Sequence, residues 1–209
     1  MAASVLALSD RVILRPYVAE DVDIYVYWIS HGEWRFYSAP WYGYRTETTP
    51  EQEVKDRAWF AERLGGDAES YFNRRAVICV RGPEGAGDGV PTGVGVPIGD
   101  VSWYRNDKNP YTLEVGIGIC EDAYLNRGLG TEALRLWVDY LFNTYDVHKL
   151  GLETWSFNPR MIRAAEKVGF VLEGRLREHR CWQDAWIDFL PFGLLRREWE
   201  AGRAVEVDP

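Results

Sequence analysis

Two glycines at the start of a predicted helix form the most chemically informative pattern in the sequence. In the segment LNRGLGTEA, Gly128 and Gly130 open an amphipathic run over residues 129–145. Glycines let a ligand approach the backbone closely, and the free amides and dipole at a helix start both favour an anion. The segment therefore predicts a phosphate-binding turn and raises the question of which phosphate-bearing molecule it holds.

The strand predicted before this turn carries an acid and a nearly bare face. In LEVGIGIC, strand alternation places Glu114, Gly116, Gly118 and Cys120 on one face and four apolar side chains on the other. Glycine inside a strand is unfavourable unless a neighbouring group needs the room. A helix packed closely over this face is one explanation. A ligand cleft with a carboxylate at its start is the other.

Three phosphate-binding arrangements are compared for GLGTEA. It is not a P-loop, because no Gly-Lys-Ser/Thr follows the glycines. It matches a dinucleotide fingerprint at Gly128, Gly130 and Ala133, with Glu153 about 20 residues further on. However, EDAYLNR separates the strand from the first glycine, and the additional strand–helix units of that fold are missing. A strand, an outward-facing turn and a helix N-terminus fit the whole order of elements better.

At these residues the sequence resembles the Gcn5-related N-acetyltransferase superfamily. Residues 125–130, LNRGLG, match its pyrophosphate pattern Gln/Arg-x-x-Gly-x-Gly/Ala except at the first position. Four blocks in order, LEVGIGI, YLNRGLGTEALRLWVDYLF, HKLGLETWSFNPRMIRAAEKVGF and EGRLRE, are similar to the ribosomal-protein and spermidine acetyltransferase branch. The resemblance implies a mixed α/β fold, with a central mixed sheet of six to seven strands flanked by about four helices.

The resemblance also implies acetyl-CoA as the cofactor. By it, backbone groups at Ile119 and Cys120 pair with the pantetheine arm, amides of residues 125–131 hold the pyrophosphate, and Asn158 lies near the thiol. A plain helix cap is a second, compatible role for Asn158. The full set that the resemblance assigns to the cofactor is Ile117, Ile119, Cys120, Leu125, Asn126, Arg127, Gly128, Leu129, Gly130, Thr131 and Asn158.

The implied reaction is acetyl transfer to a primary amine, and Glu114 is the predicted base. An amine of pKa near 10 is neutral in only about one molecule in a thousand at pH 7, so a base is useful. The usual acids for the thiolate are missing, because Ala165 and Met161 stand where relatives have Tyr and Ser. Water as the acid is one alternative, and Tyr124 or a tyrosine of the aromatic segment at residues 34–44 is a second. A non-catalytic acyl-CoA-binding protein is a third.

Six aromatic residues lie between Trp34 and Tyr44, in a segment that also holds Pro40 and Gly43. The resemblance puts this segment over the acceptor end of the groove, where aromatic faces bind ammonium groups. The predicted substrate-binding residues are Trp34, Tyr37, Trp41 and Tyr42. Packing in the core or in a homodimer explains the same residues equally well.

Composition narrows the classes of partner and of domain organisation. A net charge of -8 disfavours nucleic acid. It favours a cationic substrate, and avoidance of aggregation explains the same charge without any ligand. The three cysteines are dispersed, so no metal site is expected. No signal peptide or membrane-spanning segment is apparent, which predicts a cytoplasmic protein without a membrane partner. With 209 residues we expect one domain over residues 1–209, with a Gly/Pro-rich loop at 82–97.

The remaining elements are predicted from periodicity and capping signals. The predicted strands are residues 11–17, 74–80, 98–105, 111–120 and 148–155, and a hairpin turns at Gln183 and Asp184. The predicted helices are residues 19–30, 49–64, 129–145 and 158–168.

Overall fold

The computed structural model describes residues 4–42, 47–67, 70–81, 95–106 and 109–207. The strands in this part of the chain are β1 (Ala7–Leu8), β2 (Val12–Arg15), β3 (Arg75–Val80), β4 (Val96–Asn106), β5 (Asn109–Ile119), β6 (Lys149–Trp155), β7 (Val171–Leu172), β8 (Leu176–Trp182) and β9 (Ala185–Leu195). The α-helices there are α1 (Val22–Trp28), α2 (Trp34–Tyr37), α3 (Pro50–Leu64), α4 (Leu129–Thr144), α5 (Pro159–Val168) and α6 (Arg196–Val207).

The strands form one mixed sheet, which confirms the predicted fold class. Its order is β1-β2-β3-β4-β5-β6-β9-β7, and β8 pairs with β9. The β5–β6 pair is parallel, with Glu114 opposite Gly151. The described part has nine strands and six α-helices, more than the predicted six to seven and about four. The excess includes β1 and β7, of two residues each, and α2, of four, which are too short to give a periodic pattern.

The chain divides into two compact units. The first comprises residues 1–102 and 117–137, and the second comprises residues 103–116 and 138–209. Strands β4 and β5 and helix α4 contribute to both. The expectation of one domain over residues 1–209 stays a prediction.

In the first unit, an aromatic core joins α1 and α3 to the strands. Tyr17, Tyr25, Phe60 and Phe72 are buried, with neighbouring ring centroids between 4.6 and 6.2 Å apart. Such tilted and edge-on pairs add to the free energy gained by removing the rings from water. Helix α3 begins as predicted, because the Thr49 side chain accepts from the Gln52 amide at 3.2 Å.

In the second unit, β6 carries buried leucines, and Arg196 binds the backbone carbonyls at the C-terminal end of α4. Leu150 and Leu152 are buried, and the Arg196 guanidinium donates to the carbonyls of Phe142, Tyr145 and Val147 at 2.7–3.0 Å. These are carbonyls in and just beyond the last turn of α4, where a cation also complements the helix dipole.

The hairpin and the C-terminal helix differ in how well the sequence predicted them. The chain turns at Gln183 and Asp184, as predicted, and both have positive φ, 49° and 60°. Helix α6 was not predicted, since the hairpin segment was predicted to extend to Trp199 and no element was predicted after it. Tertiary contacts hold it: Trp199 Nε1 donates to Asp139 at 2.6 Å and the Trp199 ring stacks on Phe142.

The predicted loop at 82–97 lies mostly outside the described residues, which resume at Gly95. Strand β4 already begins at Val96, so the last two positions of that prediction are in the sheet.

Candidate functional site

The predicted phosphate-binding turn lies in the first unit and follows β5 after a single 3-10 turn at Asp122–Tyr124. Asn126 and Gly128 both have left-handed backbone, with φ of 59° and 79°. Residues in this region reverse the direction of successive amides, and alternating hands of this kind create anion-binding concavities. The turn is thus held in a conformation that only glycine and a few polar residues adopt readily.

The turn leads directly into the N-terminus of α4. The Glu132 amide donates to the Gly128 carbonyl at 3.1 Å and makes the first hydrogen bond of the helical repeat. The amides before it, at the first positions of α4, have no carbonyl one turn earlier in the helix to bond with. A Cβ added at Gly130 would meet Ile119 Cγ1 at 3.4 Å, so the helix start rests on the end of β5. The helix start is thus held in place by Ile119, and its backbone N–H groups are donors that suit a diphosphate.

The bare face of β5 at Gly118 is open in the described structure. Among the described residues, a Cβ added at Gly118 would meet only Cys120 Sγ, at 3.8 Å. No described helix therefore packs closely on this glycine, which favours the cleft over the close-packed helix. The Cys120 amide donates to the Ile98 carbonyl at 2.8 Å, so this donor is already used in the fold. Ile117 and Ile119 are half-buried.

A cluster around Arg11 adjoins the turn, and the sequence did not predict it. Arg11 pairs with Glu132 in the first turn of α4, and its Nη1 donates to the Arg127 carbonyl at 3.2 Å. The Ser9 hydroxyl donates to the same Glu132 carboxylate at 2.6 Å. Partial burial opposes ionisation of Glu132, but the hydrogen bonds from Ser9 and Arg11 outweigh it and lower its pKa. No sequence signal joins residues more than a hundred positions apart.

The predicted base, Glu114, lies in the second unit on the face of β5 that was expected to be bare. Its carboxylate lies over Gly151 of β6, where an added Cβ would be 2.1 Å from Oε2. Glu153 is two residues further along β6, and burial together with the Glu114 charge raises its pKa. Burial and the charges of Glu153 and Glu114 raise the pKa of Tyr104 to about 12. This face therefore carries two acids beside a phenol that is protonated at neutral pH.

Three of the residues discussed for the cofactor site, Asn158, Met161 and Ala165, lie at the start of α5 or within it. Asn158 caps α5, since its Oδ1 accepts from the Met161 amide at 3.1 Å, and its predicted cofactor contact stays a prediction. Ala165 is fully buried, with 0% of its surface exposed, whereas Met161 is half-buried. The position where relatives carry a phenol is thus filled by the packing of this chain.

Replacing Ala165 by Tyr should destabilise the protein. A large side chain in a filled site forces neighbours apart and costs about 1–3 kcal/mol or more. For a chain of this size, each kcal/mol lowers the melting temperature by roughly 2–4 °C. Thermal unfolding measures the effect, and Arg163→Tyr, on the exposed side of the same helix, is the control. Equal melting temperatures for the two variants would contradict close packing at Ala165.

The predicted substrate-binding aromatics lie in the first unit. Trp34 packs against the aromatic core, and its Nε1 donates to the His31 carbonyl at 2.9 Å. Tyr37 and Trp41 are half-buried, and the side chain of Tyr42 lies outside the described residues. For Trp34, core packing accounts for the residue without a ligand.

The first unit thus brings together the turn, the start of α4, Ile119, Gly118 and Arg11. The second unit brings together Glu114, Glu153 and Tyr104. Arg127 lies within the turn and Thr131 in the first turn of α4. The Arg127 guanidinium lies 5.4 Å from the Tyr124 ring centroid. Within the described ranges, no three His, Cys, Asp or Glu side chains are grouped to hold a metal ion, and no helix is long and apolar enough to cross a membrane.

Comparison with known proteins identifies the family. The model of the acetyltransferase (GNAT) domain matches residues 11–171, and the chain belongs to this family. An uncharacterised prophage-derived N-acetyltransferase of Bacillus subtilis, YokL, is 28% identical over 103 residues, which cover 49% of this chain and 58% of that protein. An aminoglycoside N(6')-acetyltransferase type 1 of Klebsiella pneumoniae is 32% identical over 72 residues, 34% of this chain and 36% of that protein. In such matches the chain spans about half the length of its curated relatives, or less.

Solved structures agree with this assignment at the level of the fold. A GNAT-family acetyltransferase from Bacillus anthracis has a TM-score of 0.68 at 17% identity, covering 92% of this chain and 99% of its own. Spermidine N-acetyltransferase from Vibrio cholerae, solved with CoA and spermine, has a TM-score of 0.67 at 18% identity, with the same coverage of 92% and 99%. The match of the domain model to residues 11–171 confirms the family predicted from the sequence, and the solved structures confirm the fold.

Proposed function

We propose that this protein is an N-acetyltransferase that moves an acetyl group from acetyl-CoA to a primary amine. The observation that carries the proposal is the turn at residues 125–130, whose left-handed Asn126 and Gly128 lead into the N-terminus of α4. Membership of the GNAT family and the open face at Gly118 support it. When bound, acetyl-CoA supplies an acetyl thioester that is activated for attack by an amine.

In this proposal the turn and the end of β5 hold the cofactor. The amides of residues 126–131 donate to the pyrophosphate, in the roles that the resemblance implies for Asn126, Arg127, Gly128, Leu129, Gly130 and Thr131. The Leu125 amide was predicted to join them, but it donates to the Asp122 carbonyl at 3.1 Å and is used within the fold. The Ile119 amide donates to the thioester carbonyl, because a fixed backbone donor stabilises the negative charge that develops there. Ile117 lines the same strand, and Asn158 stays a predicted contact near the thiol.

Glu114 accepts the proton that the amine loses as the new bond to the acetyl carbon forms. It lies on β5, on the face that the alternation of LEVGIGIC predicts. Relay through one water satisfies the same role, since a base acts directly or through a single bridging molecule. The chain offers no phenol at Ala165, and a thiol of pKa about 8.5 leaves tolerably at neutral pH with water as its acid.

The acceptor that we propose is a cationic amine. Glu114 and Glu153 give the second unit two acids on neighbouring strands, and Tyr104 beside them is neutral at pH 7. Such a face attracts an ammonium group and repels anionic acceptors. Polyamines, aminoglycosides and protein N-termini all present amines of this kind, and the names of the relatives make the first two the starting choices. Of the aromatic residues, Tyr37, Trp41 and Tyr42 remain predicted acceptor contacts.

A turnover screen tests the proposal. Purified protein is mixed with acetyl-CoA and with spermidine, kanamycin or peptides of varied N-terminus, and free thiol is measured. We expect thiol release that depends on at least one amine. Calorimetric titrations with CoA and with NAD(P)H run in parallel. Binding of NAD(P)H without any binding of CoA would refute the proposal. Binding of CoA without turnover of any amine would favour the second candidate, an acyl-CoA-binding protein, which the missing phenol at position 165 equally permits.

Location and assembly stay predictions. The predicted cytoplasmic location, the homodimer and the lack of nucleic-acid and membrane partners each need direct measurement. Light scattering of the purified chain decides the oligomeric state, and localisation of the tagged protein in cells decides the compartment.

A further inference from the structure

Arg11 stands beside the proposed pyrophosphate turn, although it is 117 positions away from Gly128 in the sequence. Two contacts fix it there: a salt bridge to Glu132 and a hydrogen bond of 3.2 Å from its Nη1 to the Arg127 carbonyl. Its Nη2 is also close to Gly128, since a Cβ built on that residue would be 3.7 Å away. Its own backbone is anchored as well, because the Arg81 amide donates to the Arg11 carbonyl at 2.9 Å.

The hydrogen bond to the Arg127 carbonyl controls the direction of the next amide. A trans peptide unit is planar, and its carbonyl and N–H point in opposite directions. Holding the Arg127 carbonyl toward Arg11 therefore directs the Gly128 amide away from Arg11. Since Gly128 has left-handed backbone and no side chain, this peptide unit would otherwise rotate easily.

The salt bridge between Arg11 and Glu132 reduces the negative charge at the start of α4. Glu132 lies in the first turn of α4, where its negative charge opposes an incoming diphosphate. Arg11 and the Ser9 hydroxyl both donate to this carboxylate, which compensates its charge and holds it in one position. One guanidinium thus holds both the turn and the acid at the helix start, as its forked geometry allows.

We propose that Arg11 is a positioning residue for cofactor binding: it orients the peptide between Arg127 and Gly128 and neutralises Glu132, so that the turn amides face the pyrophosphate. The inference rests on the proposed function, because it concerns the same turn. It adds a residue that lies outside the pyrophosphate pattern.

The test is calorimetric titration of CoA into the wild type and three variants. We expect Arg11→Met to weaken CoA binding at least tenfold and Arg11→Lys at least threefold, since lysine keeps the charge but lacks the fork. Lys55→Met removes the same charge from an exposed position of α3 and should bind CoA within twofold of the wild type. In steady state, the KM for acetyl-CoA should rise in Arg11→Met while kcat stays within about threefold.

Hydrogen exchange of the amides of residues 126–131 separates positioning from folding. CoA should protect these amides in the wild type and much less in Arg11→Met at equal occupancy. Unchanged CoA affinity in Arg11→Met, or an equal loss in Lys55→Met, would overturn the inference. If Arg11→Met does not fold, the affinity of Arg11→Lys decides. Failure of the wild type to bind CoA would instead overturn the proposed function, and the inference with it.

Discussion

Glu114→Gln should lower kcat for amine acetylation by about 100-fold or more, the usual contribution of a general base. Glutamine keeps the size of the side chain but does not accept the proton. The affinity for CoA should stay within twofold, since the proposed role concerns the amine and not the cofactor. The loss should shrink as the pH rises toward the amine pKa of about 10, where the acceptor is already neutral. Steady-state rates from pH 6 to 10, together with CoA titration, measure all three effects.

Glu153→Gln is the matched control for this experiment. It removes an equal charge from the neighbouring strand, and the structure relates the two acids through the raised pKa of Glu153. If Glu114 is the base, Glu153→Gln should lower kcat far less than Glu114→Gln does. Equal losses would mean that the two acids act only through their combined field on a cationic acceptor. An unchanged rate in Glu114→Gln at pH 7 would remove Glu114 from the mechanism.

Local sequence signals predicted the parts of the fold that local chemistry determines. The Thr49 cap, the cap at Asn158 and the reversal at Gln183 and Asp184 all come from side chains and backbone within a few residues, and all are present. Helix α6 depends instead on Trp199 reaching Asp139, so no local pattern indicated it. Burial of Ala165 likewise depends on which side of α5 faces the sheet.

For the candidate site, the sequence indicated the turn and Glu114 but not their supports. LNRGLG is contiguous, and the alternation of LEVGIGIC places Glu114 on the glycine face without any tertiary information. Arg11 and Ser9 belong to the start of the chain, and only the folded sheet brings them to Glu132. The electrostatic influence of Glu114 on Glu153 similarly requires the parallel register of β5 and β6, which places Glu114 opposite Gly151. A single sequence does not reveal such contacts between residues that are far apart in the chain.

Gly128→Val should weaken CoA binding at least tenfold, or about 1.4 kcal/mol. The sequence alone suggests that a branched side chain would block the pyrophosphate. In the structure, however, an added Cβ at Gly128 points toward Arg11 Nη2, at 3.7 Å, which is an ordinary contact distance. The cause of the loss is therefore backbone strain, because φ is 79° and β-branched residues rarely adopt this region. The turn should relax to another conformation and redirect its amides.

Two further variants separate strain from obstruction in this turn. Asparagine tolerates left-handed backbone, so Gly128→Asn should retain more CoA affinity than Gly128→Val although its side chain is as large. Gly202→Val makes the same change as Gly128→Val in α6, where an added Cβ meets nothing within 4 Å, and should leave CoA binding unchanged. Calorimetry gives the affinities, and thermal unfolding verifies that each variant is folded. If Gly128→Asn and Gly128→Val lose affinity equally, obstruction and not strain is the cause. If Gly128→Val binds CoA as the wild type does, the pyrophosphate lies elsewhere, because a turn forced out of its left-handed conformation cannot keep the same amides directed at the same anion.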